Sequence, residues 1–579
     1  MGDTIEDIED ALSIPTPSSE HLVLDDTRRL TGPGLLWERP GAVLDVFFDG
    51  IAPDALILVW QKNVKRVLDA VGWSDQTHIE RQFDGGTNLA ISAPMDQLYS
   101  AIFVAQTAWH FSAAELLDEK PNDFALMIND LNSVMLREAN PRLIALIDEA
   151  NRRQIDILSD DDDVSLGHGI GSQTWPVTEL PDPKDVEWDK LYNIPVALIT
   201  GTNGKTTTTR LCSAIAKASG KTAGLTSTDF VQVGDDILDH GDYSGPGGAR
   251  MLLRDPRLEI ACLEVARGGI LRRGLPVRHA RVAVVTNVAA DHLGQYGVNT
   301  VPELTKTKFA VHRTLKDDGI LVLNADDPFV VSEASETPST IWWFSLHSCA
   351  PQIAASCSAG LPCAWLEGDV LVFFDGTKKV LLNTVAEIPI SMGGAAHYNI
   401  LNALAAICAS RAMEIRYSAI RSGLSGFQSN PSDNPGRCNE FEVNRARVFV
   451  DFAHNPHSIS AVTQTMAAIP AKRRFVMLSH AGDRSDKDVC DVTNMALSFN
   501  PDYVVATELP DYLRGRELGE IPSLIQQTCQ EHGMYADHIL MATSPSNAVA
   551  QILEQLQPGD LALLLVLSER DKIFEMLKQ

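Results

Sequence analysis

The sequence predicts an α/β fold dominated by parallel sheets, with a separate α+β region ahead of them. Three observations carry this. Residues 196–210, VALITGTNGKTTTTR, pass from a β-branched apolar run through a Gly-Thr-Asn-Gly loop into a helix-permissive segment. Apolar runs recur at 260–264 (IACLE), 282–286 (VAVVT) and 320–324 (ILVLN), with helix-length segments between them. That alternation is the pattern of a mostly parallel sheet covered by helices on both faces. Near Asn439 a smaller α/β unit starts, with runs RVFVD (447–451), FVMLS (475–479), YVVAT (503–507) and LALLLV (561–566).

In chain order, residues 1–26 are acidic and read as a partly disordered tail. Residues 27–175 form the N-terminal domain. In it GPGLLWERP is a turn and AVLDVFFDG a strand, and Leu98, Ile102, Ala105 and Trp109 recur at helical spacing, predicting a helix over 96–117. Asn140-Pro141 reads as an N-cap and first helical residue, with Leu143, Ile144 and Ile147 on the apolar face. Asp160–Asp163 mark a solvated loop, and Pro176, Pro181 and Pro183 a linker over 176–194. The central domain then spans 195–437 and the last domain 438–579.

Length and composition narrow the classes. A chain of 579 residues holds about three domains. With 45% hydrophobic and 21% charged residues it has the composition of a soluble globular protein. The apolar run Leu561–Leu567 is too short to span a bilayer. The N-terminus, MGDTIEDIEDALS, lacks the basic and apolar regions of a signal peptide. Nine cysteines without C-x-x-C spacing argue for a reducing compartment, and a cytoplasmic location is expected. A net charge of −28 argues against nucleic acid or membrane as a partner. Any nucleoside triphosphate must therefore be held by local cations and Mg²⁺.

The loop at 201–206 is the strongest site candidate. A strand, a glycine-rich loop and a helix N-terminus make a phosphate cradle from backbone amides and the helix dipole. Gly201, Thr202, Asn203, Gly204, Lys205, Thr206 and Thr207 form it; Lys205 is placed to reach the β/γ-phosphates and the Thr206 hydroxyl to hold Mg²⁺. The full G-x-x-x-x-G-K-[ST] pattern is not met, because Ile199 stands where its first glycine belongs. In parallel sheets ligands sit beyond the carboxyl ends of the strands. Residues there include Glu264 after IACLE, a plausible Mg²⁺ ligand, and Asn287, Asp291 and His292 in TNVAADHLG (286–294). Lys306 and Lys308 follow, and NADDP (324–328) closes the next strand. Further candidates are His397, Tyr398, Asn399 and Asn402, then Arg437 in PGR, Asp451 in DFAHNP, and the segments 481–484 and 514–516. Two such rims suggest a site closed by domain motion.

GTNGKTTTTR, the glutamate after the next strand, TNVAADHLG, LNADDP, N-x-x-N-x-x-AA, PGR and DFAHNP together resemble the Mur ligase superfamily of ATP-dependent amide ligases. The resemblance runs over about Pro195–Lys578. LEVARGGILRRGL, SMGG, GDRSDKD and LRGRELGE look most like the C-terminal, Mur-like half of the cyanophycin synthetases. RRLTGPGLLWERPGAVLDVFFD (28–49) looks like the opening of that family's N-terminal domain, and LGHGIGSQTW (166–175) like the segment that follows that domain. The ATP-grasp domain that follows it there is not evident before Gly201.

The resemblance implies a P-loop central domain, a Rossmann-like C-terminal domain, and ATP and Mg²⁺ as cofactors. It implies transfer of the γ-phosphoryl group to a substrate carboxylate and attack by an amine on the acyl-phosphate, releasing ADP and phosphate. Lys205, Lys308, His292, Glu264 and Arg437 are the implied catalytic residues. Thr206 and Glu264 hold Mg²⁺ and His292 a second ion. Lys308 aligns with the lysine that many members carbamylate, with Lys306 as the competing assignment. Asn402 and Asn399 contact adenine, Arg437 and Asp451 the ATP, and Asn287 belongs to the nucleotide site. Tyr398 stands between His397 and Asn399 where members often have His next to the first Asn, which weakens a role for His397. The N-terminal domain is expected to dock, oligomerise or shape the substrate site. The partners expected are a small-molecule or peptide carboxylate and an amino acid or other amine. Alternatives are a degenerate ATP-binding homologue and a ligase adding arginine to an aspartyl carboxylate. A P-loop GTPase would carry N-K-x-D, which the chain lacks.

Overall fold

The computed structural model describes residues 5–578. Its contacts divide the chain into two units, Met1–Val288 with His292–Trp343 and Cys408–Arg416, and Ala289–Asp291 with Phe344–Ile407 and Tyr417–Gln579.

The first unit begins with α1 (Ile5–Glu9), β1 (Leu22–Leu30), β2 (Gly41–Phe48), α2 (Pro53–Ala70), β3 (His78–Phe83), β4 (Gly86–Ser92), α3 (Leu98–Leu116), α4 (Phe124–Glu138) and α5 (Pro141–Arg153). The four strands form an antiparallel sheet in the order β1-β2-β4-β3. α3 is buried around nearly its whole circumference and contacts α2, α4 and the sheet, which is why its sequence has no polar face. Trp109 from α3 and Trp60 from α2 are fully buried in this core. The Asn140 side chain accepts a hydrogen bond from Leu143 N at 3.2 Å, so the predicted cap forms.

Two expectations in this region are corrected, and a third holds, since Asp161 and Asp162 are exposed in the loop read at 160–163. The acidic segment 1–26 is not an open tail: α1 buries Ile8 in the core, and β1 starts at Leu22. Its residues 1–4 lie outside the described residues. Asp160–Asp163 turn between β5 (Ile157–Ser159) and β6 (Asp163–Leu166), which pairs with β7 (Gln173–Pro176). Asp160 there accepts an ion pair from Arg254 at 2.6 Å, and Asp161 a hydrogen bond from the Tyr99 hydroxyl at 3.0 Å. Residues 176–194 are packed rather than open, because Leu180, Val186, Trp188 and Leu191 are buried.

Next come β8 (Val196–Thr200), α6 (Lys205–Ala218), β9 (Ala223–Thr226), β10 (Phe230–Val233), β11 (Asp236–His240), α7 (Pro246–Leu253), β12 (Ile260–Glu264), α8 (Arg267–Arg272), β13 (Ala280–Val285), α9 (Val301–Phe309), β14 (Leu315–Asn324) and α10 (Pro328–Ala334). The sheet order is β11-β10-β9-β12-β8-β13-β14, with β9, β12, β8, β13 and β14 parallel. All four predicted strands are present. The antiparallel edge β10–β11 was not foreseen, and β11 is exposed throughout, so it carries no burial pattern to read. β8 lies between β12 and β13, in register Glu264↔Ile199 and Val285↔Thr200. The residues following three strands thus gather at one carboxyl edge.

In the second unit, α11 (Pro351–Ala359) precedes an antiparallel set, β16 (Cys363–Glu367), β17 (Val370–Phe374) and β18 (Lys379–Thr384), after the boundary strand β15 (Thr340–Ser345). Helices α12 (His397–Ala412) and α13 (Tyr417–Gly426) follow. The last sheet comprises β19 (Asn439–Val443), β20 (Ala446–Asp451), β21 (Arg474–Leu478), β22 (Tyr503–Thr507), β23 (Ile539–Ala542) and β24 (Leu561–Leu565). Its order is β19-β20-β24-β21-β22-β23, all parallel except β19. Helices cover both faces, giving the predicted Rossmann-like domain. Among the described residues no helix is long and apolar enough to cross a membrane.

Candidate active site

The loop 201–204 is held from below by the segment after β13. Asn203 N donates to Asn287 Oδ1 at 3.0 Å, and Asn287 Nδ2 donates back to Asn203 O at 2.9 Å. Thr286 Oγ1 donates to Asn203 O at 2.6 Å, and Thr202 N to Asn287 O at 2.8 Å. Asn287, expected in the nucleotide site, therefore commits its side chain to clamping the loop. Gly201 has φ of 147°, and a Cβ there would lie 1.8 Å from Thr286 Oγ1. This contact, rather than the missing first glycine, explains why the loop opens on Gly201. Gly204, with φ of 84°, is the N-cap of α6, and no side chain caps that helix. Such an end suits an anion.

Lys205 is the first residue of α6, and its Nζ donates to Thr202 O at 2.9 Å, across the loop mouth. Thr206 and Thr207 are buried in the first turn, and Glu264 is buried at the end of β12, one strand away. Lys308, near the end of α9, is buried and donates from Nζ to Gly201 O at 2.8 Å; Lys306 is exposed. His292 adopts φ of 49°, and its carbonyl accepts a hydrogen bond from Arg267. The first unit thus gathers Gly201–Thr207, Glu264, Asn287 and Lys308 around the end of β8.

NADDP, expected at this rim, supports the site from behind. Asp327 accepts from Val288 N at 2.7 Å while capping α10, and Asn324 Nδ2 donates to Thr286 O at 2.9 Å. NADDP therefore props the segment that grips the loop.

The second unit carries the remaining candidates. Asn399 Nδ2 donates to Ile390 O at 2.8 Å and its Oδ1 accepts from Asn402 Nδ2 at 3.1 Å, so the pair forms one buried amide network. Asp451 ends β20 and accepts from Cys438 N at 2.8 Å and Ala453 N at 2.7 Å. Burial pushes its carboxyl above the usual range, opposed by the Arg437 charge and these hydrogen bonds. The Arg437 guanidinium lies 4.8 Å from the Phe452 ring centroid. Tyr398 is spent on the core, its hydroxyl 2.9 Å from Cys438 Sγ.

A parallel sheet with a strand–loop–helix turn, an uncapped helix N-terminus, and Thr206 and Glu264 at its rim defines an α/β protein with a candidate anion site. Residues 199–410 match the Mur ligase middle domain, and residues 436–565 the Mur ligase glutamate ligase domain. Over these residues the chain belongs to the Mur ligase family. A cyanophycin synthetase of Nostoc sp. is 39% identical over 332 residues, 57% of this chain and 37% of that protein. The chain thus spans little more than a third of that relative's length. The UDP-N-acetylmuramoyl-L-alanyl-D-glutamate–2,6-diaminopimelate ligase of Listeria innocua is 24% identical over 63% of this chain and 72% of its own. The solved structure of E. coli FolC with DHPP and ADP aligns at 19% identity and a TM-score of 0.48, over 66% of this chain and 88% of that one.

Proposed function

We propose that the chain is an ATP-dependent carboxylate–amine ligase. It transfers the γ-phosphoryl group of ATP to a substrate carboxylate, and an amine then displaces phosphate from the acyl-phosphate to form an amide. The carrying observation is the meeting of the uncapped α6 N-terminus, Lys205, Glu264 and Lys308 at the carboxyl end of β8. Hydroxyl and carboxylate oxygens at Thr206 and Glu264 are hard donors that fit Mg²⁺. When bound, Mg²⁺ would neutralise phosphate charge during transfer.

The chain's own groups supply position and charge. The α6 amides and Lys205 hold the phosphates in line; Thr206, Glu264 and His292 are the proposed metal holders. Lys308 is preferred over Lys306 because it is buried and reaches Gly201, whereas Lys306 faces solvent. Asn399 and Asn402 are proposed adenine contacts, and Arg437 and Asp451 nucleotide contacts. The relatives' names support an amino acid or other small amine as one substrate and a small-molecule or peptide carboxylate as the other. We place the reaction in the cytoplasm, where ATP is supplied.

The test is phosphate release from ATP over a panel of carboxylates and amines, with mass spectrometry of products. Turnover is expected to require both substrates and to yield a new amide. Lys205→Ala is expected to lower turnover by at least about 10²-fold, the scale of losing a charge contact to a transferring phosphoryl group. Turnover independent of amine, or a product without an amide, would overturn the ligase reading.

A further inference from the structure

The β3–β4 hairpin of the N-terminal domain grips the segment between His292 and α9. Arg81 Nη2 donates to Gly297 O at 2.6 Å, and its guanidinium lies 3.6 Å from Glu303 Oε1. Asn299 Nδ2 donates to Asp84 O at 3.4 Å. Gly297, with φ of 67°, packs against Phe83; a Cβ there would lie 2.3 Å from the ring. Arg81 is itself held from inside the sheet. Its Nη1 donates to Asn88 Oδ1 at 2.6 Å, Asn88 Nδ2 donates to Asp45 Oδ1 at 2.7 Å, and Asp45 pairs with Arg28. The Arg28 guanidinium lies 4.5 Å from the centroid of the Tyr296 ring.

The gripped segment is closed at both ends. Upstream, Gly294 N donates to Val298 O at 2.9 Å and Val298 N to Gln295 O at 3.1 Å, forming a tight hairpin beside His292. Arg267 bonds both the His292 carbonyl and Gln295 Oε1. Downstream, the Glu303 carboxylate accepts from Asn299 N at 2.9 Å and Thr300 N at 3.0 Å, capping α9, which carries Lys308 to Gly201. A second seam pins the loop after Glu264. Thr31 N donates to Arg273 O and Leu275 N to Pro33 O. A Cβ on Gly32 would lie 2.4 Å from Leu275 O, and one on Gly274 2.4 Å from Gly32 O. The glycines of GPG and RRG are thus required by contact between the two backbones.

We propose that the N-terminal domain is a working part of the nucleotide site, with Arg81 as the positioning residue for the His292 loop and the start of α9. Scaffolding alone needs apolar burial; a half-buried guanidinium that donates to a loop carbonyl and pairs with a helix-capping carboxylate fixes direction as well. The catalytic consequence rests on the ligase reading, whereas the ordering of the loop does not.

The experiment compares full-length wild type, Arg81→Ala and Arg81→Lys by hydrogen–deuterium exchange and by the Mg²⁺ dependence of ATP turnover. Arg81→Ala is expected to speed exchange about tenfold or more over 292–303, with β8 and β13 as protected as before, the pattern of local opening. The half-saturating Mg²⁺ concentration is expected to rise about tenfold, as for a lost outer-shell partner, with a smaller fall in kcat. Arg81→Lys keeps the cation near Glu303 and is expected to recover part of both effects. Unchanged exchange over 292–303 would overturn the proposal, as would faster exchange with an unchanged Mg²⁺ dependence. If the alanine variant does not fold, Arg81→Lys decides by the same two readouts. Wild type without ATP turnover would instead defeat the ligase reading, and the exchange data would still decide whether Arg81 orders the loop.

Discussion

Lys306 and Lys308 stand two residues apart on α9 and face different surroundings, because two residues turn a helix by about 200°. Lys306 faces solvent, whereas Lys308 is buried with its amine on Gly201 O. Sequence order alone left both open as the site lysine, and burial separates them. A buried cation at the base of the 201–204 loop is held by the loop carbonyl that it reaches, and would stabilise any anion the loop holds. Lys308→Ala is therefore expected to lower turnover by about 10²–10³-fold, as for loss of an electrostatic contact in a closed site. Lys306→Ala is expected to stay within about twofold, as a surface change away from any packed feature. Steady-state phosphate release measures both; equal losses would return the role to Lys306 or to neither.

At the scale of elements, the small β5–β7 sheet docks beside the start of β13 through a buried cluster. Asp156 accepts from the His279 ring, and His168 Nε2 lies 3.5 Å from Asp156 Oδ2 with no exposure to solvent. Burial holds the His168 imidazole below its usual pKa, against the Asp156 charge, which favours protonation. Burial alone would raise the Asp156 carboxyl, but the His279 hydrogen bond and the two imidazoles carry it below the carboxylate range. The signs then agree. Below about pH 6.5 the unfolded chain protonates His168 while the folded chain resists, so stability falls. The contribution of Asp156 is present above its unfolded pKa and is lost as pH falls through the lower folded value. Stability is expected to decline between pH 7.5 and 5.5 with a His168 contribution of at most about 1.4 kcal/mol per pH unit. His168→Asn should flatten that slope in urea titrations, and an unchanged slope would remove His168 as its source. This cluster illustrates what the sequence hid. Strands such as VALIT and YVVAT were legible because continuous apolar runs have one stable use in a buried parallel sheet. The strand–turn–helix at 196–218 was legible because its glycine and threonine pattern is local. The exposed edge β11, the packing of Leu180, Val186, Trp188 and Leu191, and Arg81 against Gly297 were not, because each depends on a partner far along the chain.

The whole molecule carries a net charge of −28, and its nucleotide candidate is also an anion. Lys205 and Lys308 act at contact distance, but at low ionic strength the field of the whole chain reaches further. The Debye length is about 30 Å at 10 mM salt and about 8 Å at 150 mM, so salt removes the long-range repulsion first and leaves the buried contacts largely intact. Association of Mg²⁺-bound ATP is therefore expected to speed up with salt, by about two- to tenfold over that range. A basic nucleotide-binding surface would show the opposite sign. Stopped-flow mixing with a fluorescent ATP analogue at fixed free Mg²⁺ reads the rate directly, and adenosine, which carries no charge, is the control expected to respond little. An association rate that falls with salt would mean that cations around the loop govern the approach of ATP as well as its final contacts.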